Sequence, residues 1–93
     1  MKENQRDINT VYYSIGGDRA VCGADVVGIF DIDNTTTSKH TVEFLNGAQE
    51  RGEVVLLAPD IPVSFVVTTG RDGAERVFLS QYAPRTLVQR RLF

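Results

Sequence analysis

Hydrophobic and polar positions in the first third of the chain follow the period of β-strands. Residues 8–15 are rich in β-forming side chains, and Val11, Tyr13 and Ile15 lie on one side with Tyr12 and Ser14 on the other. Residues 16–18, two glycines and an aspartate, suit the positive φ angles of a tight turn. This predicts a hairpin that returns through residues 20–22. Residues 25–32 are almost continuously apolar, a pattern typical of a strand covered on both faces, so we expect them to form the central strand. Gly28 within this segment favours a β-bulge or a close neighbour.

The next segment has the period of an amphipathic helix. Its stripe at i, i+3, i+4 and i+7 consists of Thr41, Phe44, Leu45 and Ala48. Thr37 or Ser38 suits the N-cap, and residues 51–52 suit the C-terminal end. Because Gly47 in the helix interior costs about 1 kcal/mol relative to alanine, we expect the helix to be held by docking its apolar face on the sheet.

The second half of the chain predicts three strands and a short helix. The strands are residues 53–58, 63–69 and 74–80, and the last two form a hairpin through a turn at residues 70–73. Pro84 suits the first turn of the helix. The apolar positions that follow it are Leu87, Val88 and Leu92. A helix this short is not stable alone, so we expect it to pack within or between subunits.

These segments together predict an α+β fold in the order β-β-β-α-β-β-β-α. The sheet is expected to be mostly antiparallel, packed by one amphipathic helix plus a short C-terminal helix. A chain of 93 residues accommodates a single domain, which we assign to residues 10–93, with residues 1–9 as a flexible lead-in. The hydrophobic fraction of 42% and charged fraction of 24% are those of an ordinary globular domain.

Cysteine content and hydrophobicity indicate where the protein resides. Cys22 is the only cysteine, so it cannot form an internal disulfide, and its apolar neighbours favour a buried, reduced thiol. The chain has no apolar run of the roughly 18 residues that a membrane helix needs, and its polar N-terminus does not resemble a signal peptide. We therefore expect a cytoplasmic protein that does not bind membranes.

The charge is unevenly distributed along the chain. A net charge of −2 and an isoelectric point near 5.2 do not by themselves indicate a nucleic-acid-binding protein. However, residues 1–70 hold five Lys and Arg against ten Asp and Glu, whereas residues 71–93 hold five Arg against two acidic residues. This basic end is either an electrostatic footprint for nucleic acid or an ordinary solvated surface. The candidate nucleic-acid-binding residues are Arg71, Arg76, Arg85, Arg90 and Arg91.

Residues 28–38, GIFDIDNTTTS, raise an enzymatic alternative. The D-x-D-x-T arrangement after an apolar strand resembles the start of haloacid-dehalogenase-type phosphatases, in which Asp31 would be the nucleophile and Asp33 the general acid. Residues 65–71 resemble the strand-end threonine segment of those enzymes. The reaction also needs a suitably placed cation and a downstream acidic pair, but the two lysines lie elsewhere and no adjacent carboxylates follow Asp33. We therefore favour a helix-capping role for the two carboxylates and expect no enzymatic activity.

No metal or cofactor site is predicted. His40 has no neighbouring cysteine or histidine, and the chain has no Cys/His metal pattern. It also has no P-loop, and no helix follows the glycines at residues 16–17, so they suit a turn better than a phosphate-binding loop.

Six segments, taken in order along the chain, are similar in sequence to segments of a known protein family. They are residues 13–18, 26–31, 41–45, 64–68, 77–80 and 86–90. This set resembles the bacterial extracellular matrix regulatory family typified by RemA and RemB, and it is most similar to the RemB/YaaB branch. The resemblance spans roughly residues 11 to 92.

The resemblance implies a non-enzymatic domain that assembles into a homo-oligomeric ring and, in RemA-like members, binds promoter DNA to activate extracellular matrix (biofilm) genes. RemA-like proteins resemble one another in an arginine-rich segment before the strand that begins here at Val63, whereas residues 58–62 contain no arginine. The family's DNA contacts do not carry over at those positions. Two hypotheses follow. In the first, the C-terminal arginines neutralise phosphates of double-stranded DNA; in the second, the protein is a ring-forming assembly module in which they join subunits.

Overall fold

The computed structural model describes residues 11–32 and 39–92. Within them the chain forms β1 (Tyr12–Gly16), β2 (Arg19–Cys22), a 3-10 turn (Gly23–Asp25), β3 (Val26–Asp31), α1 (Lys39–Glu50), β4 (Val54–Leu56), β5 (Ser64–Thr69), β6 (Glu75–Ser80) and α2 (Pro84–Gln89). This order confirms the predicted α+β fold. The lead-in predicted at residues 1–9, the predicted helix N-cap and Asp33 lie outside the described residues.

β1 and β2 form the predicted hairpin. Gly16 pairs with Arg19, so the connection is a two-residue loop of Gly17 and Asp18. Their φ angles are +57° and +62°, the positive values that a type I′ hairpin turn requires at both positions. Position 17 also needs glycine for lack of space, because a Cβ there would overlap the backbone carbonyl oxygen of Leu57.

The second sheet has four strands in the order β3-β5-β6-β4. β5 runs antiparallel to β3 and to β6, and β4 runs parallel to β6. The prediction that residues 25–32 form the central strand is therefore wrong, because β3 lies at an edge and leaves Val27 65% exposed. β5 and β6 are the interior strands, although the buried Ser64 and Thr68 make β5 look less apolar in sequence. The predicted bulge is confirmed by a register shift between Val26 and Gly28.

Each face of the four-stranded sheet carries its own hydrophobic cluster. Side chains alternate along β5, so Val66 belongs to one cluster and Phe65 and Val67 belong to the other. The predicted stripe of α1 covers the second face through Phe44, Leu45 and Ala48. The β1–β2 hairpin and α2 cover the first face. The buried residues there, which we call the hairpin-side cluster, are Ile15, Val21, Val66, Phe78 and Leu87. The domain thus has three layers, with the four-stranded sheet in the middle.

α1 ends at a glycine, as predicted. The N–H of Gly52 donates to the carbonyl of Gln49 at 3.1 Å, and the N–H of Glu53 donates to the carbonyl of Ala48 at 2.9 Å. These are the two hydrogen bonds of a Schellman motif. Gly52 has a φ of +72°, and no atom lies within 4 Å of the position that a Cβ would take. The helix end therefore depends on the backbone conformation of glycine and not on space.

α2 begins at Pro84, as predicted, and fastens the outer layer to the sheet. Leu87 is 1% exposed in the hairpin-side cluster, whereas Val88 and Leu92 are at least half exposed. Beyond the helix the chain runs beside β1, where the N–H of Leu92 donates to the carbonyl of Tyr12 at 2.8 Å. In the described part of the chain, neither helix combines the length and hydrophobicity needed to cross a membrane.

Two buried serines connect the sheet to the outer layer. Ser64 and Ser80 face each other across β5 and β6. The Ser64 hydroxyl donates to the carbonyl of Tyr82 at 2.6 Å. The Ser80 hydroxyl donates to the carbonyl of Ile15 at 2.9 Å and accepts a hydrogen bond from the N–H of Tyr82 at 3.1 Å. Both serine hydroxyls are thus satisfied by backbone groups of Ile15 and Tyr82.

Candidate nucleic-acid interface

Arg71 and Arg76 lie at the turn end of the β5–β6 hairpin. In the turn, the N–H of Gly70 donates to the carbonyl of Ala74 at 2.9 Å, and an Asp72 carboxylate oxygen accepts from the N–H of Ala74 at the same distance. Arg71 extends from this closed turn and is exposed. Arg76 is also exposed and stands near the start of β6. The hairpin therefore presents two of the five candidate arginines from a single rigid element.

A third arginine, which the sequence reasoning missed, joins this end of the molecule. Arg19 begins β2, and its guanidinium carbon lies 5.2 Å from the ring centroid of Phe78. Arg19 and Arg76 line one recess of about 380 Å³, which we call the Arg19–Arg76 recess. Along the chain Arg19 falls within residues 1–70, where acidic residues outnumber basic ones, and the docking of the hairpin on the sheet brings it to Arg76. The sequence feature that could have identified Arg19 is its position directly after the predicted turn.

The charges of these three arginines are not neutralised within the described structure. Among residues 11–32 and 39–92, none of Arg19, Arg71 and Arg76 forms a salt bridge with a described carboxylate. Among the described residues, Arg51 forms an ion pair with Glu53 at 3.0 Å. Glu53 lies beside the start of β6, where its carbonyl accepts a hydrogen bond from the N–H of Val77, but its carboxylate is paired with Arg51 and not with Arg76. Exposed guanidinium groups without a carboxylate partner are suited to binding phosphate oxygens.

Arg90, by contrast, is used within the fold. Its Nε donates to the carbonyl of Ser14 at 2.9 Å, and its Nη2 donates to the Ser14 hydroxyl at 3.1 Å. Its guanidinium carbon also lies 4.1 Å from the ring centroid of Tyr82. These contacts give Arg90 a structural role, because they connect the segment after α2 to β1.

The structure places the other two candidates away from the hairpin turn. Arg85 is exposed in the first turn of α2, where it lines a cleft with Asp31 at the far end of β5 from Arg76. Arg91 follows α2 and forms an isolated backbone bridge with Tyr13. The five candidates thus do not meet at one point, and the densest group is Arg71 and Arg76 with the additional Arg19.

The phosphatase alternative lacks the required geometry. Asp31 ends β3 opposite Ser64, whereas Thr68 and Thr69 lie at the other end of β5. Because β3 and β5 are antiparallel, five residue steps of about 3.4 Å place the two motifs roughly 17 Å apart. In the phosphatases both segments must reach one phosphoryl group. Asp33 lies outside the described residues, and within them no three His, Cys, Asp or Glu side chains form a metal-binding group.

An apolar groove runs between the edge strand β3 and α1. Val27 and Phe30 are 65% and 40% exposed, and the Phe30 ring stacks on Phe65 with centroids 5.0 Å apart. Phe44 of α1 closes the opposite side of the groove, which has a volume of about 290 Å³. Exposed apolar side chains on an unpaired sheet edge are typical of a surface that binds another chain.

Comparisons of the chain with known proteins add no family assignment. The sequence matches no protein-family model, and no curated protein matches it.

Proposed function

We propose that this protein is a non-enzymatic bacterial regulator that forms a ring-like homo-oligomer and associates with double-stranded DNA to control extracellular matrix genes. The proposal starts from the resemblance to the RemA/RemB family. It places the protein in the cytoplasm, where DNA is accessible and the single Cys22 remains reduced.

The observation that carries the DNA-binding part is the group formed by Arg19, Arg71 and Arg76. All three are exposed, and none is paired with a described carboxylate. Three guanidinium groups can neutralise phosphates of the DNA backbone without reading base sequence. Repetition around a ring would multiply such weak contacts into useful affinity. This group takes the place of the arginine-rich segment that the chain lacks before Val63.

The proposal is tested by fluorescence anisotropy of a labelled duplex titrated with the protein at about 50 and 200 mM salt. Three phosphate contacts give a salt slope near −2.7, so each engaged subunit should lose roughly 40-fold in affinity over this range. The double variant Arg71→Gln/Arg76→Gln should reduce the slope by about 2 per subunit. Arg85→Gln, at an exposed arginine at the far end of β5 from Arg76, is the matched control and should bind as the parent does. Absence of saturable binding at the lower salt concentration would reject DNA association.

A second candidate function is a ring-forming assembly module that does not bind DNA. It is favoured by the apolar groove between β3 and α1, because the exposed side chains of Val27 and Phe30 can pack against another protein chain but cannot bind DNA phosphates. Sedimentation velocity of Val27→Glu tests this candidate, because a buried carboxylate at a subunit interface should shift the protein towards the monomer. Val42→Glu, on the exposed side of α1, is the control. An unchanged oligomer in Val27→Glu would exclude the groove as the subunit interface.

A further inference from the structure

The Arg19–Arg76 recess has the features of a binding site for a small anion. It lies where the β1–β2 hairpin stops covering the four-stranded sheet, so that β2 forms one wall and β5 and β6 form the floor. Its polar lining includes Arg19, Arg76, Thr68 and Asp25. These residues come from four different segments of the chain, and the fold brings them together.

The cationic groups in the recess are positioned by the structure around them. Phe78 is buried in the hairpin-side cluster, and the Arg19 guanidinium lies over its ring at 5.2 Å, a cation–π contact that restricts the side chain. Arg76 lies directly across the β5–β6 pair from Thr68, and it shares its face of β6 with Phe78. Thr68 is 7% exposed and belongs to β5, one of the two interior strands. The Arg19 guanidinium is therefore held over Phe78, and Arg76 and Thr68 line the recess from paired positions on adjacent strands.

The charge and size of the recess favour a ligand that carries a phosphate group. Two arginines and one aspartate give a formal charge of +1, and no ion pair joins Asp25 to either arginine within the described residues. Guanidinium groups bind phosphate oxygens through paired N–H donors, and a nearby hydroxyl can add another. A volume of about 380 Å³ exceeds what a phosphate alone requires, so an organic group attached to it could share the recess.

We propose that the Arg19–Arg76 recess binds a phosphate group. Two sources have this chemistry: the phosphate of a small phosphorylated molecule and a phosphate of the DNA backbone. The first would make the recess a ligand site separate from the DNA contacts, and Arg19 would then not contact the duplex. The second would give that surface a defined anchor for one backbone phosphate. The inference rests on the proposed function only for the second source.

Isothermal titration of the full chain with inorganic phosphate, at low and constant ionic strength in chloride buffer, tests the site. We expect saturable binding with one site per chain. Arg19→Gln and Arg76→Gln should each weaken it about tenfold or more, because each removes charge-assisted hydrogen bonds. Arg85→Gln, which changes an arginine of a different cleft, should bind phosphate as the parent does. Arg19→Lys, which keeps the charge but loses the planar fork, should be intermediate.

Titrating the same variants with a DNA duplex separates the two sources. If Arg19→Gln loses phosphate affinity and retains duplex affinity, the ligand is a small phosphorylated molecule. If it loses both to a similar extent, the recess holds a backbone phosphate. Phosphate binding by a protein that binds no duplex would reject DNA association and leave the phosphate site standing. The site itself is overturned if phosphate produces no saturable signal, or if both glutamine variants bind it as the parent does while circular dichroism shows an intact fold.

Discussion

Arg90 and Ser14 are hydrogen-bonded in both directions. The Arg90 guanidinium donates to the carbonyl and to the hydroxyl of Ser14, and the Ser14 N–H donates to the Arg90 carbonyl at 3.0 Å. The two residues are 76 positions apart in the chain. Together they fasten the segment after α2 to the β1–β2 hairpin, and this joins the two elements of the outer layer.

Replacing Arg90 should therefore destabilise the fold. Arg90→Ala removes two hydrogen bonds from a charged, partly buried group and its contact with the Tyr82 ring, so the free energy of unfolding should fall by about 2–3 kcal/mol. Urea denaturation at a fixed protein concentration measures this loss. Arg85→Ala, on exposed surface, should change it by less than about 0.5 kcal/mol. Equal effects of the two substitutions would contradict the structural role of Arg90.

Replacing the buried Ser80 should lower the free energy of unfolding. Ser80→Ala leaves the N–H of Tyr82 without its hydroxyl acceptor and removes the hydrogen bond to Ile15, at a position that is 0% exposed. Loss of a buried partner costs about 1–3 kcal/mol. Native-state hydrogen exchange should show faster exchange at the Tyr82 amide in the variant. Unchanged protection there would mean that the hydroxyl does not support this turn.

Two glycines with positive φ angles allow backbone strain to be separated from steric overlap. Gly52→Ala, which has open space around it, should cost about 1–2 kcal/mol from backbone conformation alone. Gly17→Ala adds an overlap with the Leu57 carbonyl, so its total cost should be roughly 2–5 kcal/mol. Thermal or urea unfolding of the two variants side by side measures the difference. A smaller loss at position 17 would show that the hairpin does not rest against the backbone of Leu57.

Truncating the neighbouring residues Leu87 and Val88 of α2 should change the free energy of unfolding by very different amounts. Leu87 is 1% exposed and lines an apolar cavity of about 210 Å³ beneath the hairpin, so Leu87→Ala should cost about 2–5 kcal/mol. Val88 is 56% exposed, and Val88→Ala should leave the unfolding of the isolated subunit within about 0.5 kcal/mol of the parent. Denaturation at several protein concentrations checks both values. A concentration-dependent loss for Val88→Ala would instead indicate that α2 contacts another subunit.

Most of the fold is predictable because its signals are local. The glycine turn, the period-3.6 stripe around Phe44 and the proline at the start of α2 each specify an element through nearby residues. Strand order is different, since it depends on which buried polar groups find partners. Ser64 and Ser80 lower the apparent hydrophobicity of β5 and β6, yet their hydroxyls are satisfied by backbone carbonyls of another layer. No sequence pattern of β5 alone reveals those partners, and β3 was consequently mistaken for the central strand.

The candidate site is predictable only in part, for a similar reason. A count of charges along the chain finds Arg71 and Arg76 but also Arg90, whose guanidinium binds Ser14 instead. The same count passes over Arg19, because its neighbours in sequence are not its neighbours in space. Proximity between β2 and β6 arises from the docking of the hairpin on the sheet, which is a long-range packing event.

The parallel pairing of β4 with β6 also constrains how the chain can fold. β4 is made before β5 but pairs with β6, so it has no partner strand until the β5–β6 hairpin exists. That hairpin closes through a short turn and has a low entropic cost, whereas β3 and β4 must each close a longer loop to reach it. We expect the β5–β6 hairpin to be the folding nucleus. Substitutions at Val66 or Val77 should then slow refolding, while substitutions in β4 should mainly accelerate unfolding.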